Sequence, residues 1–171
     1  MTSRARREAP TTAPAERARE FALAMLTRAP RSAADLRSRL IAKEVEPDVA
    51  DEVIARYREV GLLDDASLAA MIARTRHLER GQAPRAIAVE LRRKGFDDEC
   101  IRVALAPLTV DMQEDRARDL AAARWSRDAD VDSDVKTRRT VAYLARKGYP
   151  ASLAFALVRD LKRADSEAKG N

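Results

Sequence analysis

Side chains able to do covalent or metal chemistry are few in this sequence of 171 residues, which holds one cysteine, Cys100, and one histidine, His77. A nucleophilic centre needs a base beside the attacking group, and a structural zinc site takes four nitrogen or sulfur ligands, more than these two residues supply. Asp128, Asp130, Asp132 and Asp134 alternate like a cation loop. They lack the glycine and the distal glutamate of an EF-hand, so an acidic linker that caps the following helix is the better reading. No glycine-rich loop of the P-loop or dinucleotide-binding type occurs. The expectation is a non-enzymatic protein with no catalytic residue, no metal and no cofactor, which works by binding.

The elements that would carry a binding surface are helices. Charged residues make up 36% of the chain and aromatics 4%, which favours helix and leaves little material for β-branched, aromatic strands. All-α is therefore the expected class. The sequence shows no stretch of bilayer-spanning length, no apolar signal segment over Met1 to Ala18 and no cysteine pair, so a cytoplasmic protein without membrane contact is expected.

Glycine and proline divide the chain because both are costly inside a helix, by about 1 and 3 kcal/mol relative to alanine. Gly61, Gly81, Gly95 and Gly148 each follow an amphipathic run and read as helix stops, whereas Pro47, Pro84 and Pro150 precede one and read as starts. Ser32 with Asp35 has capping-box spacing, and Asp64 or Asp65 can cap the run containing Leu68. Nine helices are expected, near 16–28, 33–43, 47–60, 65–79, 84–94, 98–108, 111–126, 135–147 and 150–164.

Self-comparison groups them into triplets. RLIAKEVEPDVADEVIARY, ELRRKGFDDECIRVALAPL and YLARKGYPASLAFALVRDL align at offsets of 51 and then 53 residues. Leu40, Leu91 and Leu144 coincide, as do Lys43, Lys94 and Lys147, then Val45, Phe96 and Tyr149, and then Val49, Cys100 and Leu153. The expected organisation is three tandem three-helix repeats over 17–64, 65–110 and 111–164, forming an elongated array able to curve, between a disordered basic tail over 1–16 and a disordered tail over 165–171. Each repeat is too small to hold much core alone, so neighbours should support one another. The alignment makes Cys100 a core residue. Trp125 is spaced for the core from Ala117, Leu120 and Ala121, and His77, among Arg74, Arg76 and Arg80, is expected in solvent.

Charge is segregated by helix. Arg31 to Lys43 holds four basic residues against Asp35, Pro84 to Lys94 four against Glu90, and Lys136 to Lys147 five against none. Lys43, Lys94 and Lys147 fall at helix C-termini, where the helix dipole alone accounts for a cation. With Ile87 and Leu91 facing the core, a 3.6-residue period turns Arg85 and Arg92 to solvent. Arg80, Arg93, Arg138, Arg139 and Arg146 complete a candidate binding set for a phosphate backbone or an acidic protein.

The segments EVGLLDDASLA, RGQAPRAIAVELRRKGF and KTRRTVAYLARKGY, in that order, resemble the RecX regulatory proteins from about Ala18 to Leu161. Glu44 departs from the pattern of Gly95 and Gly148. The resemblance implies a cytoplasmic modulator, mostly an inhibitor, of the RecA recombinase in DNA repair, recombination and the SOS response. It would bind the RecA filament on single-stranded DNA, with the DNA itself a candidate second partner, and a monomer is expected. A stand-alone helical DNA-binding module is the alternative.

Overall fold

The computed structural model describes residues 12–169, and these form nine helices and no strand. The helices are α1 (Thr12–Arg28), α2 (Ala33–Ile41), α3 (Pro47–Glu59), α4 (Asp65–Leu78), α5 (Pro84–Arg93), α6 (Asp98–Leu105), α7 (Val110–Arg127), α8 (Ser133–Arg146) and α9 (Ala151–Lys169). The all-α class and the tandem triplets read from the sequence are both present. Residues 1–11 and 170–171, the outer parts of the two expected tails, lie outside the described residues.

Local chemistry sets the helix ends. Ser32 accepts the Asp35 N–H at 3.1 Å, the first half of the expected capping box. The Asp35 carboxylate does not complete it, because it is held by Arg31 and Arg39. Of the two possible caps for α4, Asp64 takes the Ser67 N–H at 2.9 Å, which leaves Asp65 to accept the Ala33 N–H at 2.9 Å. At Gly148, φ is +91° and an added Cβ would lie 2.7 Å from the Ala86 Cβ, so conformation and space both require glycine. Glu44, the residue at the corresponding turn of the first repeat, takes φ +61° with a full side chain.

The described chain forms two compact units, and the second repeat is shared between them. The first unit contains α1 to α3, the start of α4 and the segment Lys94–Phe96. Its core includes Ala18, Ala22, Leu36, Leu40, Ile54 and Leu63, and Tyr57 donates its hydroxyl to the Arg19 carbonyl at 2.8 Å. Pieces of the second repeat close this unit: the Ser32 hydroxyl donates to the Lys94 carbonyl, and Asp65 holds the start of α2. The second unit contains most of α4 and α5 to α9. Ala83, Ala117, Ala121, Leu144, Tyr149 and Leu157 belong to its core. Here the second and third repeats are joined, the Ala83 N–H donating to the Lys147 carbonyl at 2.8 Å and Arg116 to the Leu78 carbonyl at 2.8 Å. Each repeat thus completes its packing with a neighbour, as its size requires.

Four expectations are corrected, the first being the disordered tail over 1–16, since α1 begins at Thr12 and makes 12–16 helical. His77 is buried, 1% exposed, with Nδ1 3.1 Å from the Gln82 carbonyl oxygen. The turn at Gly81 brings that carbonyl back to the ring nitrogen, and Arg116 of α7 donates to the Leu78 carbonyl at the end of α4. Cys100 is only half-buried, because α6 is eight residues long and turns Ile101 and Ala104 to the core instead. The chain from 165 onward is helical as far as Lys169. Asp165 explains this, since its carboxylate accepts the Trp125 indole N–H at 2.9 Å and the Lys136 ammonium at 3.1 Å. Trp125 itself is a core residue, 4% exposed.

Candidate functional site

Arginines and lysines that look alike in sequence have different fates once their helices pack. On α2, Arg37 makes a two-pronged bond to Asp51 of α3, the second prong at 2.9 Å, and Arg31 and Arg39 share Asp35. Burial alone would raise the Asp35 carboxyl, but the hydrogen bonds from Arg39 and Arg31 outweigh it and hold the group below its usual value. The hydrogen bond from Arg37 likewise lowers Asp51. The basic helix of the first repeat is therefore largely neutralised by its own unit.

α5 keeps its cations. Glu90, its one carboxylate, is turned to Arg76 of α4, with bonds of 2.8 and 2.7 Å between side chains only 18% and 15% exposed. Hydrogen bonding to Glu90 raises Arg76 further above its ordinary value. Ile87 and Leu91 face the core as the sequence requires. Arg85 and Arg93 are exposed and have no partner among the described residues, and Arg92 makes an exposed 2.8 Å pair with Asp98. Such a pair contributes under about 1 kcal/mol and leaves the guanidinium available.

α8 is thinned by the fold. Lys136, one of the five basic residues that the sequence places on this helix, is 5% exposed and lies over the Trp125 ring at 5.2 Å with Asp165 at 3.1 Å. Lys147 bonds the Arg80 carbonyl at 2.6 Å and covers Tyr143 at 5.5 Å, so it joins two helix ends instead of merely terminating its own. Arg139 is held at 3.2 Å by the buried Asp128, which also takes Arg124 at 3.0 Å. Asp132 caps α8 through the Asp134 N–H and Asp134 pairs with Lys162 at 3.1 Å, so three of the four alternating aspartates are an arginine acceptor, a cap and a lysine partner. Arg138 and Arg146 remain exposed and without a partner among the described residues.

The second unit brings these groups together where the end of α8 meets the start of α5. The Ala83–Lys147 and Lys147–Arg80 bonds tie the residue after Arg146 to the segment between Arg80 and Arg85, although 61 positions separate Arg85 from Arg146 in the chain. Arg80 is exposed and its guanidinium has no partner among the described residues. All seven sequence-predicted arginines lie in this unit, five without a partner among the described residues, Arg92 paired with the exposed Asp98 and Arg139 with the buried Asp128. Sequence reading missed Val89, which is 61% exposed between the arginines of α5. The same helical period that selected Arg85 would have found it.

Models described as the first, second and third three-helix domains of RecX match residues 18–56, 64–105 and 111–158. The chain belongs to the RecX family. It is 38% identical over 166 residues to the regulatory protein RecX of Streptomyces coelicolor, covering 97% of this chain and 88% of that one. The RecX protein of Thermobifida fusca is 40% identical over 154 residues, covering 90% and 81%. The crystal structure of RecX from Lactobacillus salivarius has the same fold, with a TM-score of 0.76 at 21% identity, covering 88% of this chain and 97% of that one. This is an all-helical regulatory family, and among the described residues no helix is long and apolar enough to cross a membrane.

Proposed function

We propose that this RecX-family chain is a non-enzymatic, cytoplasmic regulator that binds the RecA filament on single-stranded DNA as a monomer and limits filament growth, ATP hydrolysis and strand exchange. Membership of the family over all three domains carries the reading. The charge distribution supports it. The first unit consumes its basic helix internally, and the second presents Arg80, Arg85, Arg93, Arg138 and Arg146 without partners among the described residues. Such a surface steers encounter with a filament that carries the phosphates of its DNA, and the attraction weakens with salt.

Titration into RecA assembled on single-stranded DNA, with ATP hydrolysis and filament length followed together, tests the proposal. Both should fall as the protein is added. Unchanged hydrolysis and length at saturating protein would refute it.

A further inference from the structure

The outward face of α5 has a composition that its charge alone does not explain. At about 100° per residue, Val89 lies about 180° from the midpoint of the buried pair Ile87 and Leu91, at the centre of the exposed arc. Arg85 and Arg92 stand about 40° and 60° to one side of it, and Arg93 about 40° to the other. Val89 is 61% exposed, and its neighbour Glu90 is turned away to Arg76, so no free carboxylate interrupts the face. A β-branched residue is a poorer helix former than alanine, and at this exposure it gains little from packing within the chain.

We propose that this face of α5 docks a protein segment that is acidic at its edges and apolar at its centre, and that nucleic acid is not its ligand. An apolar centre within a rim of arginines is the make-up of a protein interface, where arginine is enriched and the middle is dry. A single-stranded nucleic acid asks instead for phosphate-tracking cations interleaved with aromatic rings on which bases stack. α5 has the cations, but its centre is a valine that can neither stack on a base nor bond a phosphate. Resting on the filament-binding reading above, α5 meets the protein component of the filament, and phosphate contacts fall to arginines outside this helix.

Binding of the full chain to RecA without DNA, and separately to a thymidine oligonucleotide without RecA, separates the alternatives. Val89→Ser should weaken RecA binding by roughly tenfold, from the apolar area it withdraws, and leave oligonucleotide binding within about twofold. Val89→Ile should bind RecA at least as well as the unaltered chain, and Arg85→Gln with Arg93→Gln should lower RecA affinity and flatten its salt dependence. Circular dichroism confirms that each variant is folded. Val89→Ser binding RecA as tightly as the unaltered chain overturns the docking proposal alone. So does loss of oligonucleotide binding, without loss of RecA binding, in the double arginine variant. Failure of the unaltered chain to bind RecA in any form overturns the filament reading itself.

Discussion

Replacing Asp165 by alanine should destabilise the second unit by about 2–3 kcal/mol, although Asp165 lies only six positions before Asn171. The Lys136 ammonium is 5% exposed, 3.1 Å from the Asp165 carboxylate and 5.2 Å from the Trp125 ring centre. Removing one partner of a fully buried pair costs about 3–5 kcal/mol, because the other charge is left in a poor solvent. Here the Asp165 side chain is 38% exposed, so water reaches the pair and the lower part of that range is reduced. The Trp125 N–H also loses its 2.9 Å acceptor, about 1 kcal/mol, and the contact of Lys136 with the ring survives. Lys136→Met removes the charge at similar volume and leaves a half-solvated carboxylate that still accepts from Trp125, so it should cost less than about 1 kcal/mol. Urea unfolding followed by fluorescence measures both, since Trp125 is the single tryptophan and sits at the bond in question. Asp165→Ala within about 0.5 kcal/mol of the unaltered protein, or equal to Lys136→Met, would show that the pair does not hold α9 and refute the reasoning.

Two further substitutions test the backbone and the core. Glu44 occupies φ +61°, a conformation that costs a non-glycine residue about 1 kcal/mol, so Glu44→Gly should raise stability by about 0.5–1 kcal/mol and move the thermal midpoint upward. A lowered midpoint would mean that the Glu44 side chain contributes more than its conformation costs. Burial pushes the Tyr149 hydroxyl up to about 12, with Arg116 opposing, against an ordinary value of 10.0. Folding therefore favours the protonated phenol. The unfolded chain loses that proton first, so stability is unaffected below about pH 10 and falls by roughly 2–3 kcal/mol as pH rises towards 12. Tyr149→Phe should abolish that part of the alkaline decline in unfolding experiments, and an unchanged decline would assign it to other groups.

Much of the fold was legible because it is written in local chemistry. The glycines at 61, 81, 95 and 148 all take positive φ, as stops read from composition should, and the helix starts at Pro47 and Pro84 coincide with those observed. The repeat was legible because three copies present the same apolar spacing. The errors arose where the outcome depended on residues far along the chain. His77 has a basic neighbourhood in sequence and a buried one in space, where the Gln82 carbonyl meets its ring nitrogen. The segment after 164 has little apolar periodicity, and it is ordered by one carboxylate that reaches Trp125, 40 residues away. Cys100 inherited a core assignment from alignment, but α6 is too short to bury that flank.

The candidate surface divides in the same way. The sequence by itself determined that the protein is helical and threefold repeated, that its basic charge is segregated by helix, and that Arg85 and Arg92 point away from the core, because helix period and composition are properties of neighbouring residues. Which cations remain available was decided by the tertiary structure alone. Arg37 is neutralised by Asp51, Lys136 is buried on Trp125 and Lys147 is bound to Arg80, whereas Arg85, Arg93, Arg138 and Arg146 keep no partner among the described residues. The physical reason is that an ion pair or a cation on a ring acts over about 3–6 Å through space, and the residues that approach so closely here lie 11 to 67 positions apart in the chain.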